Sequence, residues 1–456
     1  MLPRVKETNS ALRVFNVGCL YDGNSTFVSD CSVFIRNEVI CGIFQRNDNN
    51  PSSIAIRRDF ADAEIISLPD SFILPGLINS HHHCYSALAR GIPIRGAMPD
   101  FPTILSELWW KLDSALDREA VEVSTLVTAI DSIRHGCTTI VDHHSSPAFI
   151  RGSLGAMRGI LGKLRLTSVL CYETTDRNGP RALTDAVEEN LDFAESVKDD
   201  PRTRGMFGFH AGFTLGDASL KHIAKVKPKE IPIHVHTAED RCDVEYAQGL
   251  GYQGALQRFS SCGLLNENSL AVHGVHLTDS EFELAQDIGL RIAHNPESNC
   301  NNRVGFAKLD RMRADRILLG TDGMNSNMLG ALRSAFLLYS GMGKGAHNAF
   351  ELMHAMLFRN PSEYLTNIFG RRIGQIRVGD AADFAIFPYA PPTTVNEANW
   401  FSHIVYALSS DAQASWVYAN GQPVFENGRI LPVDETEALK MARETAARVW
   451  QKYLNS

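Results

Sequence analysis

Nowhere in this chain of 456 residues do about 18 apolar residues run uninterrupted, so no membrane-spanning helix is expected. The first residues, MLPRVKETNSALRVFN, lack the apolar stretch of a secretory signal. A basic excess is missing too: 44 Lys and Arg stand against 52 Asp and Glu, a formal charge of -8, which argues against nucleic-acid or anionic-membrane partners. The nine cysteines (19, 31, 41, 84, 137, 171, 242, 262 and 300) contain no CxxC pair and are odd in number, which disfavours a disulfide framework and suits a reducing compartment. These absences predict a cytoplasmic protein whose partner is a small molecule.

What is present is a change of period along the chain. From about Leu12 to Pro69, β-like runs (LRVFNVGCL, TFVSDCSVFIR, EVICGIF, AEIISLP) are separated by turn residues and an Asn/Ser-rich stretch near 47–53. From Phe72 to Gly323, eight apolar runs of strand length alternate with helical stretches: FILPGLIN, CTTIVDH, RLTSVLCYE, RGMFGFH, IPIHVH, SLAVHGVHL, LRIAHN and RILLGTD. That is the pattern of repeated βα units, and eight suffice to close a (β/α)8 barrel. Helical patterns follow over about 328–370, then β signals with Asn420-Gly421 and Asn427-Gly428 hairpin turns, then a final helix opened by Asp434-x-x-Glu437 and reaching about Leu454. Neither β zone has enough strands to bury a face alone. The expected fold is therefore α/β: a TIM-like barrel over 71–374, with 1–70 and 375–456 forming one composite β-sandwich that carries the C-terminal helix.

Several of the eight runs end in a metal ligand or an acid/base group, and parallel barrel strands bring their C-terminal tips to one mouth. With 16 histidines, a His-x-His pair is unsurprising by chance, so position must supply the argument. His81 and His83, two apart at a strand end, share the inward face, while His82 points away. His236 lies nearer the mouth than His234 and becomes the third ligand, leaving His234 as a core or supporting histidine. Asp322 ends the eighth run in GTDG, where a buried carboxylate needs a cation. Three imidazoles and one carboxylate leave a position open for water on a divalent ion, an arrangement used by catalytic zinc. Glu239 and His273 then stand as acid/base candidates with Asp322. His210, by its strand-tip position, is a candidate substrate contact, as are Glu173 and Arg177 in CYETTDRNG, whose loop could equally be merely solvated. His294 and Asn299 flank the seventh strand's end.

At these residues the chain resembles the amidohydrolase superfamily, in its aminohydrolase (deaminase) branch, and most of all the SsnA-type aminohydrolases. The segments SHHHCYSALARG, PDFPTILSELWWKLDSALD, HGCTTIVDHHSSPAFI, CYETTDRNG, HTAED, AVHGVHL, HNPESNCNNRVG and GTDGMNSNM carry the likeness over nearly the whole chain. Related members include the guanine, 8-oxoguanine and methylthioadenosine/S-adenosylhomocysteine deaminases. The resemblance implies one Zn²⁺, or Fe²⁺, on His81, His83, His236 and Asp322. Bimetallic members bridge two ions with a modified Lys where this chain has His210. Ser86 takes the place of a Gln that reads the purine in 8-oxoguanine deaminases, which turns the expectation toward another N-heterocycle. The resemblance also suggests a homo-oligomer, a dimer.

The expected reaction is removal of an amino group from a purine- or pterin-like ring. Water activated by the metal attacks a C=N carbon, Asp322 takes the water's proton, His273 positions the nucleophile, and Glu239 protonates the neighbouring ring nitrogen. Opening of a cyclic amide such as a hydantoin by the same water is the alternative. A metal-binding protein without turnover is a distant third.

Overall fold

A computed structural model describes residues 12–343 and 346–456. Residues 1–11 of the expected N-terminal β unit, and 344–345 within the expected helical stretch, lie outside the described residues.

Both ends of the chain meet in one sheet. In chain order its strands are β1 (Arg13–Tyr21), β2 (Phe27–Arg36), β3 (Val39–Gln45) and β4 (Glu64–Pro75) from the N-terminal part. Nine intervening strands are β5 (Leu77–His82), β6 (Cys137–His144), β7 (Thr167–Tyr172), β8 (Thr203–Gly205), β9 (Phe207–Ala211), β10 (Ile233–Thr237), β11 (Leu270–His273), β12 (Arg291–His294) and β13 (Ile317–Leu319). The last four are β14 (Phe384–Pro388), β15 (Trp416–Ala419), β16 (Gln422–Glu426) and β17 (Arg429–Ile430). The terminal sheet runs β17-β16-β15-β14-β4-β1-β2-β3, so β14 pairing with β4 is the seam between the two ends.

β15 and β1 stand three strands apart, about 14 Å if the sheet were flat. Phe15 on β1 nevertheless meets Trp416 with ring centroids 5.3 Å apart, and Arg13 donates to the Tyr418 hydroxyl at 2.7 Å. The sheet therefore curls over, and its inner face packs Phe15, Val33, Ile73, Phe384, Ile386, Trp416 and Tyr418 into one core. Asn420-Gly421 and Asn427-Gly428 form the β15–β16 and β16–β17 turns with positive φ at all four residues, as two-residue hairpins of this twist require. One helix was not anticipated: Pro51–Asp59 occupies part of the Asn/Ser-rich stretch, with Asn50 capping the Ser53 amide and Pro at its first turn.

Phe72–Pro75, grouped above with the first βα strand, belongs to β4; the chain passes through Gly76 directly into β5. The βα strands form two parallel sheets, β5-β6-β7-β8 and β13-β12-β11-β10-β9. The fourth run is split at Met206, giving β8 to one sheet and β9 to the other. Isolated parallel bridges link the two sheets at both edges, His82 with Asp322 and Thr174 with Phe209. At the first edge the Thr321 and Asp322 amides both donate to the His81 carbonyl at 3.0 Å. Gly320 permits that approach, because a Cβ there would lie 2.4 Å from Asn295 Oδ1 and 2.9 Å from the His81 backbone oxygen.

Helices between strands are punctuated by their own sequence. Asp117 caps Arg118–Arg134, and the Thr278/Glu281 capping box opens Asp279–Ile288, which stops at Gly289 with φ 71°. The C-terminal helix Glu435–Leu454 starts at the Asp434 cap and is tied to the βα region by Trp450 Nε1 donating to the Leu88 carbonyl at 2.7 Å. Among the described residues no helix is long and apolar enough to cross a membrane, and all nine cysteines are free thiols.

Candidate metal centre and substrate pocket

Four side chains from three distant strand ends meet at one point. His81 on β5, His83 just after it, His236 on β10 and Asp322 after β13 each offer one ligand atom, and these atoms lie within 4.8 Å of one another. Asp322 Oδ1 is 2.9 Å from His81 Nε2 and 3.0 Å from His83 Nε2, while His236 Nε2 is 3.2 Å from His83 Nε2. Two facing imidazole nitrogens at that distance, with a carboxylate oxygen beside them, are the donor set of a divalent cation.

The far side of each ring fixes its orientation. His83 Nδ1 donates to the His143 carbonyl at 2.5 Å and His236 Nδ1 to the His210 carbonyl at 2.8 Å, so each turns its Nε2 toward the centre. His81 Nδ1 meets His234 Nε2 at 2.9 Å, which makes His234 a support behind the ligand set and not a member of it. His82 turns away, with its Nδ1 3.0 Å from the Thr321 hydroxyl. Burial and neighbouring imidazoles push His81 and His236 below the ordinary histidine range, toward the neutral form that ligation needs. Burial lowers His83 as well, but its hydrogen bond to Asp322 and that charge outweigh this and raise it to about 9. Burial alone would raise Asp322; hydrogen bonds from His81 and His83 hold it ionised, well below the carboxylate range.

Three residues at this mouth take the left-handed backbone region without being glycine: Ala238 (φ 48°), His273 (φ 70°) and Asp322 (φ 54°). Such strain persists only where surrounding contacts impose it, and here it aims the residues at strand tips. His273 Nδ1 is held by Asn299 Oδ1 at 2.8 Å, which leaves its buried Nε2 as an acceptor 3.4 Å from Glu239 Oε2. Burial raises the Glu239 carboxyl, with the Asp322 charge adding to it and the hydrogen bond from Asn302 opposing it. Asn302 donates to Glu239 Oε1 at 3.2 Å and to Ser298 at 3.3 Å, and the Ser298 hydroxyl donates to Asp322 Oδ2. Acid candidate and base candidate are thus joined by one polar chain.

His83, His236, Glu239, Asn302 and Asp322 open onto one pocket. His210 and Glu173 line it. Arg177 stands behind the wall, paired with Glu173 and Asp113. Ser86 is buried behind Gly323 with its hydroxyl unpartnered. His294 and Asn299 border a separate small cavity, Asn299 reaching the site only through His273. Sequence reasoning left out the wall formed by Trp109, Trp110 and Asp113, together with Tyr85 and Asn302. The signal for that wall was the paired tryptophan in SELWWKLD, whose helix is widened by a π turn over Leu105–Trp109.

Residues 72–430 match the family model described as the amidohydrolase family, and the chain belongs to that family. It is 27% identical over 402 residues to a 5'-deoxyadenosine deaminase of Methanocaldococcus jannaschii, covering 85% of this chain and 91% of that one. A 5-methylthioadenosine/S-adenosylhomocysteine deaminase of Pelotomaculum thermopropionicum is 28% identical over 390 residues, covering 82% and 86%. Among solved structures, an adenosine deaminase from Xanthomonas campestris with bound zinc superposes with a TM-score of 0.79 at 21% identity, covering 96% of this chain and 98% of that one.

Proposed function

We propose that the chain is a metal-dependent aminohydrolase that removes an amino group from a purine-like N-heterocycle and releases ammonia. The observation that carries this reading is Glu239: a buried carboxyl raised toward the protonated form, beside His273 and in the same pocket as the ligand group. An amidine-like C=N becomes electrophilic when such an acid protonates its ring nitrogen, whereas a cyclic amide would use the acid on its leaving nitrogen. The deaminase names of the two relatives support the same substrate class.

His81, His83, His236 and Asp322 would hold one divalent ion, with zinc favoured by the zinc-bound neighbour and iron as the alternative. When bound, the ion supplies Lewis acidity that lets water deprotonate near neutral pH. Asp322, kept ionised and steadied by Ser298 at Oδ2, accepts the water's proton. His273, fixed by Asn299, presents Nε2 to the incoming water. Glu239 gives its proton to the ring nitrogen beside the attacked carbon, and a proton returned to the amino group lets ammonia leave. Within the pocket, His210, Glu173 and Trp110 form the wall that would meet the part of the substrate beyond the ring, with Arg177 acting through Glu173.

The architecture we infer is a closed (β/α)8 barrel over 71–374 with a β-sandwich from 1–70 and 375–456, supported by the two edge bridges and the curled terminal sheet. Nine free cysteines support a cytoplasmic location. A homodimer is expected from the family likeness and is read directly by light scattering.

Incubating zinc-loaded protein with 5'-deoxyadenosine, a pterin and a hydantoin, and recording both ammonia and new carboxylate, tests the reaction. Ammonia from a purine or pterin is the expected product. Carboxylate without ammonia would replace deamination by ring opening.

A further inference from the structure

Four carboxylates line the pocket: Asp322 in the ligand group, Glu239 beside it, and Asp113 and Glu173, to which the reaction above assigns no proton. No lysine or arginine is among the lining residues. The cation that answers Asp113 and Glu173 is Arg177, set behind the wall. Its Nη2 meets Glu173 Oε1 at 2.7 Å and Asp113 Oδ2, its guanidinium lies over the Trp110 ring at 5.0 Å, and its Nε is shut away from solvent. Two buried carboxylates thus share one guanidinium, which leaves a negative charge in surplus on the pocket wall.

The second oxygen of Glu173 is where that surplus is available. Oε2 accepts no hydrogen bond among the described residues; His143 Nδ1 comes to 4.0 Å, in a ring that donates through Nε2 to the Phe209 carbonyl at 3.0 Å. His210 adds an acceptor and no charge. The Thr214 hydroxyl donates to the Ala211 carbonyl at 3.1 Å and so receives the His210 Nδ1 proton at 3.0 Å, leaving Nε2 unprotonated. Glu173 lies one imidazole away from the ligand group, since His143 stacks edge-on to His236 with centroids 4.6 Å apart.

We propose that Glu173, backed by Asp113 and Arg177, selects a substrate that turns positive charge or N–H donors toward this wall, and rejects one that carries a phosphate or carboxylate. An anion brought beside two carboxylates that share one guanidinium is repelled, and Arg177 cannot swing out to meet it without breaking both ion pairs. The identity of the ring rests on the aminohydrolase reading; the charge selection rests on the wall alone.

Calorimetric titration of the full chain with three probes that share an adenine and differ at the 5' position separates the two. The probes are 5'-deoxyadenosine, 5'-amino-5'-deoxyadenosine and adenosine 5'-monophosphate. The amino probe should bind at least about tenfold more tightly than the neutral one, and the phosphate at least about tenfold more weakly. In Glu173→Gln the advantage of the amino probe should shrink to within about threefold. The probe order in the unmodified chain stands as a test even if the variant fails to fold. Phosphate binding as tightly as the neutral probe, an unchanged ratio in the variant, or no binding by any probe overturns the proposal. Ammonia, recorded in parallel, reports on deamination separately: the expected order without ammonia removes that reaction and leaves the charge selection in place.

Discussion

Glu239→Gln isolates the acid from the structure that holds it. The amide matches the carboxyl in shape and can keep both neighbours, its oxygen accepting from Asn302 Nδ2 and its NH₂ facing the unprotonated Nε2 of His273. What it removes is the proton. General acid catalysis is worth about 10²–10⁴-fold, or about 2.7–5.4 kcal/mol in the barrier. The buried site gives no easy route for bulk water to replace the acid, which places the loss in the upper half of that range, about 10³-fold or more. It should fall on kcat, with KM within a few-fold, because the pocket walls are untouched.

The pH dependence carries the sign of the same group. Burial raises the Glu239 carboxyl above its unfolded value, so the proton-donating form is present at low pH and is lost as pH rises through the raised value. Wild-type kcat should fall on that alkaline limb, and the variant should lack it. Stability runs in parallel: between the unfolded and raised values the native state binds more protons than the unfolded state, so this group's contribution declines as pH rises through that window. Glu239→Gln should remove that decline, read as a flatter curve of Tm against pH. Steady-state ammonia release at several pH values measures the kinetics. Activity within about tenfold of wild type, or an alkaline limb that persists in the variant, would refute the assignment.

Asn299→Ala frees His273 Nδ1 and should lower kcat by about 10–100-fold at nearly constant KM, with Asn299→Asp recovering most of the loss because it still accepts from that nitrogen. Gly320→Ala puts a methyl 2.4 Å from Asn295 Oδ1 and should cost about 1–3 kcal/mol in chemical denaturation, together with weaker metal retention as His81 is displaced. Stripping the protein with a chelator should abolish turnover and lower Tm, and zinc at about 100 times its Kd should restore about 2.7 kcal/mol. Metal analysis should then find one equivalent per chain; two equivalents would rule out a single-ion centre.

How much of this was legible in the sequence depends on what carries each residue to the site. His81, His83, His236 and Asp322 could be brought together on paper because each ends an apolar run, and the rule that parallel strands share one mouth converts distance along the chain into proximity. The same rule located Glu239 and His273. It failed where position is set by something without a period. Trp110 and Asp113 lie on a helix after β5, and a helical stretch reads as core or surface until its docking is known; only the π turn and the Arg177 contact turn that face to the pocket. His294 illustrates the converse. It ends a strand as the others do, yet its ring borders another cavity, while the next helix supplies Asn299 to His273. The left-handed backbone at Ala238, His273 and Asp322 was invisible because no glycine marks it. A strand-tip residue therefore becomes a site residue only when the loop after it bends the chain back toward the mouth, and that bend is enforced here by long-range contacts such as Asp322 to the His81 carbonyl.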